Sequence, residues 1–101
     1  MDNPGNALDS PISVPTTLTG TGTIATRALT LQKGLLTVTY TSKGSDNFIA
    51  DLYDSSGADV GLGANEIGTS SGSRAIRIPA NGTYIFGVLF DGQWTLSLAQ
   101  G

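Results

Sequence analysis

An all-β fold is predicted for this chain: an antiparallel β-sandwich of jelly-roll type, built from about eight short strands. Three observations lead there. Short runs alternate apolar and polar residues with period two, clusters of Gly, Asn, Asp and Ser interrupt them at close intervals, and no stretch carries the apolar stripe of an amphipathic helix. The composition agrees, since thirteen threonines suit strands and fourteen glycines suit tight turns. With 101 residues, the chain fits one domain with one small core. Hydrophobic residues make up 39% and charged residues only 13%, so the surface must rely on neutral polar groups.

Residues 1–15 hold Pro4, Pro11 and Pro15, which disfavour both helix and central strand, and are read as an arm or linker with an edge strand at Ile12 and Val14. The sandwich then covers residues 16–101. Thr17 to Thr21 and Thr26 to Gln32 are expected strands. Leu35 to Thr41 is clearer: Leu36, Val38 and Tyr40 share one face, and Thr37, Thr39 and Thr41 share the other. After a turn at residues 43–47, Phe48, Ala50 and Leu52 alternate with Asp51 and Tyr53, and Asp54-Ser55-Ser56-Gly57 ends that strand. Val60 and Leu62 mark a short strand, followed by a polar loop from Gly63 to Gly72. Ser73 to Ile78, Thr83 to Phe90 and Gln93 to Ala99 complete the series. For the last two, parity favours a hairpin with a three-residue loop that holds Gly92 in the left-handed region. Val88 then pairs with Trp94 and Phe86 with Leu96, which gathers the large side chains on one face.

The chain contains no histidine and no cysteine. That removes His-based triads, thiol nucleophiles, Cys/His zinc sites and redox pairs, so no enzyme activity is expected. The net charge of −3, with five cations, offers no basic stripe for a nucleic acid. No apolar run reaches the ~18 residues of a membrane span, and Met1-Asp2-Asn3-Pro4-Gly5 lacks the basic and apolar regions of a signal peptide.

Several residues qualify as binding candidates. Tyr53 alternates away from Phe48 and Leu52, as a platform for a sugar ring would. Asp51, Asp46, Asn47 and the only glutamate, Glu66, offer polar partners near it or in the two best-placed loops, Lys43 to Asn47 and Gly63 to Gly72. Asp54 and Asp59 are calcium candidates with Asp46, Asp51 and Asn47, although their spacing is not that of an EF-hand and Asp is equally a turn residue. No other cofactor is implied. The Thr19/Thr21/Thr23 and Thr37/Thr39/Thr41 repeats suit a flat hydroxyl array for ice or sugar, or simply a wet strand face. Arg74 and Arg77 fall on opposite faces, with Arg74 near a sandwich rim. Asn81-Gly82-Thr83 matches an N-glycosylation sequon and also reads as a turn.

Residues 44–99 resemble small jelly-roll accessory domains of bacterial and archaeal secreted or surface proteins, the pre-peptidase C-terminal-like domains among them. The resemblance rests on Phe48-Ile49-Ala50-Asp51-Leu52-Tyr53-Asp54-Ser55-Ser56-Gly57, similar to their strand, Asp and Gly-turn segment. It rests also on Gly82-Thr83-Tyr84-Ile85-Phe86-Gly87-Val88 with Gly92-Gln93-Trp94-Thr95-Leu96, similar to their closing hairpin. It implies an extracellular or cell-envelope location and a non-catalytic module for binding or adhesion, with a glycan or protein surface as partner and no membrane insertion. The alternative expectation is a structural subunit of a virion or surface layer, a homo-oligomer held by edge strands and the N-terminal arm.

Overall fold

The structure, a computed structural model, describes residues 11–100. The first ten residues of the expected arm lie outside the described residues. Ten strands follow: β1 Ile12–Ser13, β2 Thr16–Thr21, β3 Ile24–Ala25, β4 Leu29–Leu31, β5 Gly34–Lys43, β6 Asn47–Asp54, β7 Asp59–Ile67, β8 Ser70–Ile78, β9 Gly82–Leu89 and β10 Gln93–Gln100. They form two sheets. One has the order β2-β10-β5-β8; the other runs β1-β4-β9-β6-β7, with β3 also on β9. Successive strands cross from sheet to sheet, and β6–β7 is the one within-sheet hairpin among the described strands. This is the jelly-roll order. β3 and β4 together fill one of its eight positions, because both pair with β9 at successive registers. The break between them is bridged by Thr26, whose backbone N–H donates to the Phe86 carbonyl (2.8 Å) while its hydroxyl accepts from the Phe86 N–H (3.1 Å).

The core lies between the sheets and follows the alternation. Leu36, Val38 and Tyr40 of β5 point inward, as do Phe48, Ala50 and Leu52 of β6, Tyr84, Phe86 and Val88 of β9, and Trp94, Leu96 and Leu98 of β10. Trp94 satisfies its indole N–H by donating to the Gly22 carbonyl at 3.0 Å. The buried Ser42 hydroxyl donates to the Gly68 carbonyl at 2.8 Å and meets the Ser70 hydroxyl at 2.7 Å.

Two expectations are corrected. β9 and β10 do not form a hairpin: β9 pairs with β3, β4 and β6, and β10 pairs with β2 and β5. Phe90-Asp91-Gly92 instead carries the chain across the sandwich. The expected grouping of large side chains survives, because strands in facing sheets also meet across the core. Gly92 is not among the residues with positive φ; its constraint is a close approach, taken up in the Discussion.

The polar loop from Gly63 to Gly72 is likewise absent. β7 continues to Ile67 and β8 begins at Ser70, leaving only Gly68 and Thr69 as the turn. Two register shifts, at Ala50/Asp51 and Leu52/Tyr53, break the alternation of β7 against β6 and so mask the continuation of the strand past Leu62. Gly61 and Gly63 make room for the core. A Cβ at Gly61 would lie 2.7 Å from Ile76, and one at Gly63 would lie 2.8 Å from Phe86.

Candidate functional site

The structure brings three of the candidate residues together and disperses the rest. Tyr53 stands opposite Asp59 across β6 and β7, and Asp51 lies one step back on the same outer face. Asp51 lies close enough to Asp59 and Tyr53 for both to move its pKa. Burial first, and then the Asp59 carboxylate and its hydrogen bond, push the Asp51 carboxyl above the usual range, while the charge of Asp51 does most to raise the Tyr53 phenol. The Tyr53 ring leans over Gly87, where a Cβ would lie 3.1 Å from it.

Because the fold favours the protonated form of Asp51, its contribution to stability is complete below the ordinary carboxylate pKa. It is lost as pH rises through the elevated value. Asp51→Asn is therefore expected to leave stability unchanged near about pH 3 and to raise it near about pH 7, by no more than about 1 kcal/mol for so solvent-screened a pair. Urea midpoints at both pH values measure this. Equal effects at the two would remove the raised Asp51 pKa as the explanation.

The remaining acids serve local structure. One Asp54 oxygen accepts from the Ser56 N–H (2.9 Å), the Ser56 hydroxyl (2.7 Å) and the Ala58 N–H (3.0 Å), which closes the β6–β7 turn and lowers its pKa. The Asp46 carbonyl accepts from Gly68 N–H at 2.8 Å. Its own N–H, with that of Ser45, donates to Asp91, whose carboxyl is held below the usual range by these bonds. Asn47 opens β6 opposite the exposed Ile67. The two loops proposed as ligand-facing are thus zipped to one another, with Thr69 Oγ1 accepting from Gly44 N–H at 3.3 Å.

Glu66 shares its face with the buried Phe48 and accepts a hydrogen bond from the Tyr40 hydroxyl between the sheets. Arg74 lies exposed near that pair, at the rim, and is close enough to lower the Tyr40 pKa against the larger upward effect of Glu66. Among the described residues no three acidic side chains gather as a metal site. Asp54 and Asp59 serve different backbone partners, Asp54 in its own turn and Asp59 in accepting from the Gly61 N–H at 3.0 Å.

A different surface emerges on the outer face of β2, β10, β5 and β8. Register places Thr19, Thr95, Thr41 and Ser71 in one row across the four strands, and Thr17, Ser97, Thr39 and Ser73 in the next. Hydroxyls touch along the rows, Thr41 to Thr95 at 2.6 Å and Thr17 to Ser97 at 3.0 Å. Thr21 with Gln93 and Lys43 borders one side, and Thr37 with Ala99 and Ala75 the other. Two shallow open depressions lie on this face, of about 720 Å³ beside Thr19, Thr41, Gln93 and Thr95 and of about 430 Å³ beside Thr17, Thr37, Thr39 and Ser97.

The threonine repeats signalled both halves of this array. What periodicity could not show is that β10 lies between them and supplies Thr95 and Ser97 to join them. Thr23, expected in the first repeat, leaves it: its hydroxyl donates to the Phe90 carbonyl (3.1 Å) and accepts from the Phe90 N–H (3.0 Å).

Fold and surface together define a jelly-roll β-sandwich with two uncharged rows of hydroxyls across one sheet face, bordered by Lys43 at one end and Arg77 at the other. We found no match to the chain among family models, curated proteins or solved structures. The fold assignment accordingly rests on strand order and register.

Proposed function

We propose that the protein is a non-catalytic binding module of the extracellular or cell-envelope kind, and that the outer face of β2, β10, β5 and β8 holds a neutral glycan. One observation carries this: eight hydroxyls in two register-aligned rows with no charge among them. Each hydroxyl both donates and accepts, so the rows offer a polyhydroxylated chain a series of matched contacts. The array repeats at about 4.7–4.9 Å across strands and roughly 6.6–6.8 Å along them, which suits an extended repeating polymer. A protein partner is less well matched, because protein interfaces centre on aromatic and Arg anchors and the two rows contain neither. The outward carboxyl pair Asp51–Asp59 lies on the other sheet, beside Tyr53.

The test is thermal unfolding with soluble fragments of neutral polysaccharides, in the native chain and in Thr39→Glu and Tyr53→Ala. A bound fragment at a hundredfold excess over its Kd adds about 2.7 kcal/mol of stability. The shift is expected to disappear in Thr39→Glu and persist in Tyr53→Ala. A shift that vanishes in Tyr53→Ala and survives in Thr39→Glu would move the site to the opposite sheet. No shift with any neutral fragment would remove the glycan.

A further inference from the structure

We propose that the free edge of β2 is a pairing site for a second copy of this chain, the two β2 strands meeting antiparallel about a two-fold axis through Leu18. A sheet edge exposes unpaired backbone groups, and proteins blunt such edges with charge, proline, bulges or shortness. The other sheet-end strands are blunted. β1 is two residues long between Pro11 and Pro15, β7 carries two register shifts with Asp59 and Glu66, and β8 carries Arg74 and Arg77.

β2 is blunted only by Pro15, which precedes it. Its six residues, Thr16–Thr21, contain no charge and no proline, and its pairing with β10 runs without a register shift. Among the described residues nothing pairs with its other side. Beneath that side a groove of about 260 Å³ opens between the sheets, lined by Leu18, Ile24 and Trp94, with Arg27 at its rim. Ile24 is 45% exposed there. Apolar surface beside an open edge is what a paired strand would cover.

A second copy fits because β2 is self-complementary. It carries no charge to repel itself, and its alternation of outward Thr with inward residues reads the same in reverse. Directly opposite residues of an antiparallel pair share a face, so the axis must pass through a residue rather than between two. Through Leu18, Thr17 faces the partner's Thr19, and the half-buried Leu18 faces its own counterpart over the groove. The two hydroxyl faces then join into one sheet surface eight strands wide. The pairing stands independently of what that surface binds.

Sedimentation equilibrium over a concentration series, with single-cysteine cross-linking, tests this; the native chain has no cysteine to interfere. A concentration-dependent dimer is expected, with Leu18→Cys cross-linking well above Ser73→Cys on β8. Ile24→Lys, a change at an exposed residue, should weaken the dimer tenfold or more and reads the pairing without touching Leu18. A chain that stays monomeric throughout, or a dimer that cross-links through Ser73 and ignores Ile24→Lys, would overturn the proposal.

Discussion

Replacing Gly92 by alanine is expected to destabilise the protein more than any other single added methyl group. The new Cβ would overlap the Lys43 carbonyl oxygen and come within 3.2 Å of the Gly44 Cα. These are backbone atoms at the end of β5, so no rotamer change relieves the clash. Nor is Gly92 free to retreat. Its carbonyl accepts from the Gly22 N–H at 2.9 Å, and the next residue, Gln93, is in register with both Thr21 and Lys43. Overpacking a core typically costs about 1–3 kcal/mol, and a clash between backbones pinned on both sides belongs at or above the upper end. The urea midpoint should fall at unchanged m value. Gly57→Ala is the contrast. Gly57 has φ of 88° and nothing within 4 Å of its added Cβ, so its cost is the left-handed penalty alone, about 1–2 kcal/mol. Equal midpoints for the two variants would mean that the chain does not cross the sandwich as described.

Phe48→Ala is the second large effect, expected at about 3–5 kcal/mol. Phe48 is fully buried on β6, its ring 5.1 Å from Phe90 in an edge-on arrangement and 5.9 Å from Tyr40. The three rings come from β5, β6 and the segment after β9, so truncation removes contacts from both sheets at once. Aromatic pairs add about 0.5–1.5 kcal/mol beyond burial, and a marginally stable domain holds only about 5–15 kcal/mol in total. Circular dichroism of the variant should show a midpoint lowered by a large fraction of the native value. A loss below about 1 kcal/mol would show that the rings do not form one packed unit.

The strands that sequence reading placed well are those buried on one face and unbroken by bulges. Leu36 to Thr41 and Phe48 to Tyr53 show their inward and outward residues directly, because the pleat forces alternation. β7 was read only as a short strand at Val60 and Leu62, and its continuation to Ile67 was hidden for a physical reason. Gly61 and Gly63 are small to admit Ile76 and Phe86, and the facing side chains that require this lie on other strands. The closing hairpin misled similarly: local parity points Phe86 and Leu96 into the core whether their strands share one sheet or face each other across two. Of the candidate site, Asp51 and Tyr53 were legible as sharing one outward strand face, and the threonine repeats as two separate outward faces; that Asp59 stands opposite Tyr53 is set by the register of β7. Their fusion through Thr95 and Ser97 depends on strand order, which alternation within a strand does not encode.

The most direct test of the central claim is amide NMR of the isotopically labelled chain titrated with a soluble neutral oligosaccharide that raises the unfolding midpoint. Shifts confined to β2, β10, β5 and β8, centred on Thr39, Thr41, Thr95 and Ser97, are the expected result. Shifts centred on Asp51, Tyr53 and Gly87 instead would contradict the assignment of the hydroxyl face and place the binding surface on the opposite sheet.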